Sequence, residues 1–204
     1  MKDPLDVLGW EPSPWIRGWA AALILSLIVL GCAGSVSRPL SPPGSGHRIA
    51  GVPFVPGEPG ACGPAALSSV LAYWGSAVPV EAIGRAVAPS KSWSGVLPMD
   101  LAQFAGSRIA TLRTETLVGS LDLLRAHVRL DHPLIAFLDL GTGIVRQGHF
   151  VVVVGFRDHP GEVLLYSGRD PEATMSYPRF VEAWTRGGSW ALLLAPWATG
   201  APPP

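Results

Sequence analysis

The chain predicts one α+β domain, with N-terminal helices packed on a C-terminal, mostly antiparallel sheet. Three observations carry that prediction. Helix-periodic segments predominate from about residue 62 to 130, β-type runs predominate from residue 134, and no internal repeat occurs. Composition agrees, since 204 residues, 48% hydrophobic and 15% charged, supply apolar mass for one core of ordinary size. The formal net charge is zero and no Lys/Arg cluster occurs, which argues against a nucleic-acid partner.

The N-terminus reads as an address label. Arg17 is followed by "GWAAALILSLIVLGCAG", and no charged residue falls between Gly18 and Ser37. A short apolar stretch behind a basic residue, ending in small residues, is the pattern of an export signal. The ending "VLGC", Val29 to Cys32, resembles a bacterial lipobox, in which the cysteine becomes the lipidated first residue of the mature protein. The expectation is a signal peptide over 1–31 and acyl chains on Cys32, each buried CH₂ giving about 0.8 kcal/mol of membrane affinity. The alternative is an uncleaved transmembrane anchor, for which the run is just long enough but diluted by Gly31, Gly34 and Ser35. Either way the body of the protein lies outside the cytoplasm. Ala33 after the lipid cysteine favours the outer membrane, with the domain on the periplasmic side.

Residues 32–50, rich in Ser, Pro and Gly, read as a tether, 51–196 as the folded domain, and 197–204 as a disordered tail. Within the domain, "GVPFV" (51–55) reads as a short strand. Pro64 suits a first helical turn, and Leu67, Val70, Leu71 and Trp74 then form one apolar helix face that stops at Gly75. Segments 78–88 and 97–106 read as two short helices, and 110–115 alternates like a strand. Ser120 is placed to cap a helix over 121–130. "LIAFLDL", "HFVVVVGF", "EVLLYSG" and "SWALLLA" are the strands of the sheet, with a helix over 177–187 before the last.

Two cysteines are present. With Cys32 lipidated, Cys62 has no partner in the chain, so it is either an inert buried residue or a thiol kept for chemistry. It stands where a glycine-rich loop, "PGEPGACG", becomes a helix. There the unpaired N–H groups and the helix dipole favour a thiolate, and Gly60 and Gly63 leave room for a substrate backbone. The N–H groups of Cys62 and Gly63 are the candidate oxyanion donors.

A reactive thiol needs a base. His47, His127, His132 and His159 are most simply solvated polar residues in tether, helix and turns. His149 opens the most apolar strand, after the loop "GTGIVRQG", as either a satisfied core histidine or an active-site base. Asp170, in "SGRDPE", ends the following strand, and a hairpin would bring it alongside His149. Asp158 sits at the wrong end of His149's own strand. No Cys/His spacing suits zinc, so no metal or other cofactor is expected. A serine hydrolase lacks its G-x-S-x-G.

The blocks "VPFVPGEPGACGPAALSSVLAYWG", "GHFVVVVGF" and "SGRDP" together resemble the double-glycine-leader peptidase family of papain-like cysteine peptidases, over roughly residues 50–195. The likeness is greatest to its exported, lipoprotein-type bacterial members. The resemblance implies a papain-like fold, peptide-bond hydrolysis with a peptide or protein as substrate, and Cys62, His149 and Asp170 as nucleophile, base and orienting carboxylate. Cleavage after Gly-Gly is what the transporter-linked relatives do, and this chain carries no transporter. Acyl transfer to an amine uses the same three residues. One departure stands out. The family's glutamine upstream of the cysteine, an oxyanion donor, is matched here by Gly57, with Glu58 beside it, and the chain's only glutamines are Gln103 and Gln147. Loss of one such donor costs about 100- to 1,000-fold in turnover. A peptide-binding module with weakened or absent catalysis is therefore the alternative function.

Overall fold

The computed structural model describes residues 45–87, 96–108 and 112–197, all within the unit 42–204. The expected signal peptide, Cys32, most of the tether and most of the tail lie outside these residues. In chain order the elements are β1 (Gly46–Arg48), α1 (Cys62–Tyr73), α2 (Val80–Ala86), α3 (Pro98–Gly106), β2 (Leu112–Val118), α4 (Leu121–Arg129), β3 (Leu134–Asp139), β4 (Gly148–Arg157), β5 (Glu162–Tyr166), β6 (Ala173–Ser176), α5 (Tyr177–Arg186) and β7 (Trp190–Pro196).

Among the described residues four of the five helices precede β3, as the periodicity suggests, although β1 and β2 precede it too and α5 lies between β6 and β7. Seven strands form one antiparallel sheet in the order β2-β7-β3-β4-β5-β6, with β1 on β4 beyond the end of β3. β4 is the spine, and its residues Phe150 to Phe156 are all buried. A strand buried on both faces has helices on both, hence its continuous rather than alternating run of valines. α1 and α4 pack on β3 and β4, α3 on β2 and β7, and α5 on β3, β5 and β6. Ser120 caps α4 as expected, its Oγ accepting the Leu123 N–H at 3.2 Å.

Three boundaries differ from the reading of the sequence. "GVPFV" forms no strand, although Val52 is buried. The folded body instead begins earlier, inside the expected tether, where Gly46–Arg48 pairs with β4 and Ile49 is buried with its N–H on the Val154 carbonyl at 2.8 Å. The cause lies in β4. The register of β4 and β5 shifts between Val153 and Gly155, and a Cβ at Gly155 would lie 2.7 Å from the His47 carbonyl oxygen. Only glycine lets β1 come that close. The third difference is β6, four residues with no strand-like texture, which pairs with β5 and leads straight into α5.

Candidate active site

Cys62 is the first residue of α1. Its N-cap, Ala61, offers no side chain to the helix, Pro64 has no N–H to satisfy, and the Ala65 N–H already reaches the Ala61 carbonyl at 2.9 Å. The donor that this helix end leaves without an acceptor is therefore the Cys62 N–H, while the Gly63 N–H faces the Cys62 sulfur. The loop in front is folded on itself by Ala61 N–H donating to the Glu58 carbonyl at 2.9 Å. It is also tied to the turn after β5 by Gly57 N–H donating to the Gly168 carbonyl at 2.8 Å. Cys62 is half-buried and unpaired by disulfide.

His149 is the second residue of β4, opposite Leu138 in the β3 register. α1 packs across β3 and β4, and this brings the imidazole to the thiol. The two side chains meet, and each moves the other. Burial pushes the Cys62 thiol up, but the His149 hydrogen bond, the Phe150 N–H, the imidazolium charge and the Gly63 N–H together bring it below its usual value. The Cys62 hydrogen bond raises His149 above the usual imidazole range; burial and the Arg169 charge oppose this, and the thiolate charge and the Ser167 carbonyl add to it. Opposite shifts in adjacent groups favour a thiolate–imidazolium pair, which titrates as a unit. Nε2 of His149 lies 3.0 Å from the Ser167 carbonyl oxygen, which leaves Nδ1 for the sulfur.

The hairpin that was expected to deliver Asp170 forms, since β4 pairs with β5, but the group it delivers to the ring is the Ser167 main-chain carbonyl. The Asp170 carboxylate folds back into its own turn, Oδ1 accepting the Glu172 N–H at 2.8 Å. The same turn is closed by Ser167 N–H to the Asp170 carbonyl at 3.1 Å and by Asp170 N–H to the Ser167 Oγ at 3.3 Å. β5 ends at Tyr166, so Ser167 is the first residue past the strand and Asp170 is three residues too late. Sequence reasoning passed over Ser167 because a main-chain acceptor leaves no mark in residue type. Its position one step beyond the apolar run was the only clue.

Asp158, set aside as misplaced, serves structure. It accepts from Arg125 and Tyr177, each at 2.8 Å, at the far end of β4. His47 pairs with Asp131 at 2.7 Å from within β1, and His159 sits in the β4–β5 turn before Pro160. His127 and His132 stack against each other with ring centroids 5.9 Å apart. Among the described residues no group of three or more His, Cys, Asp or Glu is arranged to hold a metal ion.

At the position matching the family's glutamine, a Cβ on Gly57 would lie 2.9 Å from the Ala65 Cβ and 3.2 Å from the Ala61 carbonyl oxygen. The backbone here lies close against the first turn of α1, so a side chain at 57 would force the loop or the helix to shift. Gln103 is exposed on α3, and Gln147 is exposed in the β3–β4 loop. That loop is built around buried Asp139, whose Oδ1 accepts the Gly141 and Gln147 N–H groups, both at 3.0 Å, and whose Oδ2 meets Arg146 at 3.0 Å. It braces the approach to His149.

The family comparison covers the same ground. The Peptidase_C39 like family matches residues 49–191, from the turn after β1 to the start of β7. No curated protein sequence matches the chain. Among solved structures, a putative C39-like peptidase from Bacillus anthracis is similar with TM-score 0.63 and 18% identity, over 75% of this chain and 98% of that one. The peptidase domain of Streptococcus ComA, a bi-functional ABC transporter of a quorum-sensing pathway, superposes with TM-score 0.58 and 23% identity, over 72% of this chain and all of that one, 100%. A double-glycine-motif protease from an AMS/PCAT transporter, solved with its leader peptide, gives 0.56 and 20%, over 74% and 95%. At these identities the structures establish the papain-like fold, and the family match spans most of the chain. The chain belongs to the Peptidase_C39 like family.

Proposed function

We propose that the chain is a cysteine peptidase in which Cys62 and His149 act as nucleophile and acid–base. The observation that carries this reading is that α1 packed on β4 brings Cys62 to His149, each shifting the other, with thiol lowered and imidazole raised. The Cys62 sulfur attacks the scissile carbonyl carbon, and the electron pair moves onto the carbonyl oxygen. The Cys62 N–H, left unsatisfied at an uncapped helix end, is the donor for that oxyanion, beside the Gly63 N–H. His149 gives its Nδ1 proton to the leaving amine as the C–N bond breaks. It then takes a proton from water, which attacks the thioester, releases the carboxylic acid and returns the thiolate. Ser167 holds the ring through Nε2, and Asp170 supports Ser167 through the turn.

Iodoacetamide labelling against pH tests the pair directly. Cys62 in the native chain should label fast below the usual thiol range, near pH 8.5, and His149→Ala should move that profile upward. Identical profiles would reject the pair. Peptide hydrolysis lost in Cys62→Ala, with unfolding unchanged, completes the test. A peptide is the substrate class because a relative of this fold is solved with its leader peptide bound; cleavage after Gly-Gly is the first sequence to try.

The second reading is a peptide-binding module with little turnover, favoured by the absence of a glutamine side chain at Gly57, where a Cβ would press on Ala65. Binding of a glycine-rich peptide that stays uncut would select it. We further propose that lipid on Cys32 anchors the domain on the periplasmic side of the outer membrane. Incorporation of labelled palmitate that Cys32→Ser abolishes would support the anchor, and incorporation unchanged by that substitution would refute it.

A further inference from the structure

We infer that Arg169 is a specificity-determining residue that receives a carboxylate of the bound peptide beside the Cys62–His149 pair; the inference rests on the peptidase reading. The turn that carries Arg169 touches both halves of the site. Ser167, two residues before it, gives its carbonyl to His149, and Gly168, one residue before it, gives its carbonyl to Gly57 in the loop leading to Cys62. Arg169 itself is exposed and has no hydrogen bond or ion pair among the described residues. The nearest acid along the chain, Asp170, has Oδ1 on the Glu172 N–H, which fixes the turn, and makes no ion pair with Arg169 among the described residues. Across the contact, Gly57 and Gly60 present no side chains, and exposed Glu58 between them makes no ion pair with Arg169 among the described residues. A cation at the lip of the site that no acid of the chain holds in an ion pair suits an anionic group on what binds there.

Energetics point the same way. The Arg169 charge works against protonation of His149, the form needed beside the thiolate and at the leaving amine. A cation at that place weakens the resting pair. A bound carboxylate cancels it, so an acidic substrate would strengthen the catalytic pair as it docks. Two sources share this chemistry, an acidic side chain within a residue or two of the scissile bond and the carboxylate at a peptide's C-terminus.

Two measurements on the full chain separate the outcomes. The first is alkylation of Cys62 by iodoacetate against iodoacetamide, reagents that differ by one carboxylate. The rate ratio should fall about threefold at low salt in Arg169→Ala, the size of one exposed charge interaction, and further in Arg169→Glu. Far-ultraviolet circular dichroism and thermal unfolding check that both variants fold. A ratio unchanged by Arg169→Ala overturns the inference even where peptides are cut. The second is hydrolysis of matched peptides carrying Glu or Gln at the two positions on either side of the scissile bond, and ending in a free acid or an amide. A several-fold preference for Glu places the carboxylate on a side chain, and one for the acid over the amide places it at the terminus. Either should vanish in Arg169→Ala, and a preference that persists there refutes the role of Arg169. An Arg169-dependent alkylation ratio with no peptide cut sinks the hydrolytic reading and supports the anionic subsite.

Discussion

The Ser167 carbonyl on His149 predicts an unusual response to substitution at Asp170. Where a carboxylate itself holds the imidazole, replacing it by the amide costs about 10⁴-fold in turnover, because the amide selects the wrong tautomer. Here the ring's acceptor is a main-chain oxygen, and Asp170 acts one step back, through the 2.8 Å bond from the Glu172 N–H to its Oδ1. Asparagine keeps an oxygen in that place, so Asp170→Asn should cost less than about fivefold. Alanine removes the bond, worth about 1 kcal/mol net. If the whole of that is lost from the competent orientation of His149, the rate falls about fivefold. The assay is kcat/KM on any cleaved peptide, with the pH profile of Cys62 alkylation as a readout that needs no substrate. The alkylation profile of Asp170→Asn should overlay that of the native chain. A loss of about 10³-fold or more in Asp170→Asn, with the profile displaced as in His149→Ala, would show the carboxylate acting on the ring directly and refute the backbone-acceptor arrangement.

Two further predictions concern groups outside the site. Tyr177 is raised to about 12 by burial and by its hydrogen bond to the Asp158 carboxylate. Its phenolate absorbance should therefore appear well after that of an ordinary tyrosine, and Asp158→Asn should bring it earlier. Both His127 and His132 are held below the usual imidazole range, chiefly by burial, with Arg113 and, for His132, its neighbour His127 adding to it and Glu115 and Asp131 opposing. Their Nδ1 atoms are buried without a hydrogen-bond partner. Between the lowered folded values and the unfolded value near 6.5, the unfolded chain binds more protons, so their contribution is intact above about pH 6.5 and is lost as the pH falls. Thermal unfolding between pH 7.5 and 5 should show that loss, and the double variant His127→Gln, His132→Gln should flatten it; an equal slope in both proteins would exonerate the pair.

The fold was legible wherever side chains report their surroundings by periodicity. The face of α1, the cap at Ser120 and the buried run of β4 were all read from residue type and spacing alone. What escaped was decided by contacts that no residue type announces. β1 exists because β4 shifts register against β5 and Gly155 admits a third backbone, a consequence of β4 and β5 being paired. β6 exists because β5 has an open edge and the chain from Asp170 to α5 must run back beside it. Neither segment has a pattern of its own to read.

The site divides along the same line. Cys62 and His149 could be singled out because a helix start and a strand start are recognisable places and their residue types are rare and reactive, and the fold brings the two together. The third group was assigned by the same habit, from the nearest carboxylate past the strand, and the geometry puts an amide oxygen there. The difference has a chemical consequence. A carbonyl stabilises an imidazolium less than a carboxylate does, because it carries a dipole in place of a full charge. With Arg169 adding a positive charge nearby, the resting pair depends more on the Cys62 thiolate itself, and the largest upward influence on His149 is indeed the Cys62 hydrogen bond. Such a site is poised rather than fully charged, and a substrate that brings its own anion supplies what the turn from Ser167 to Asp170 withholds.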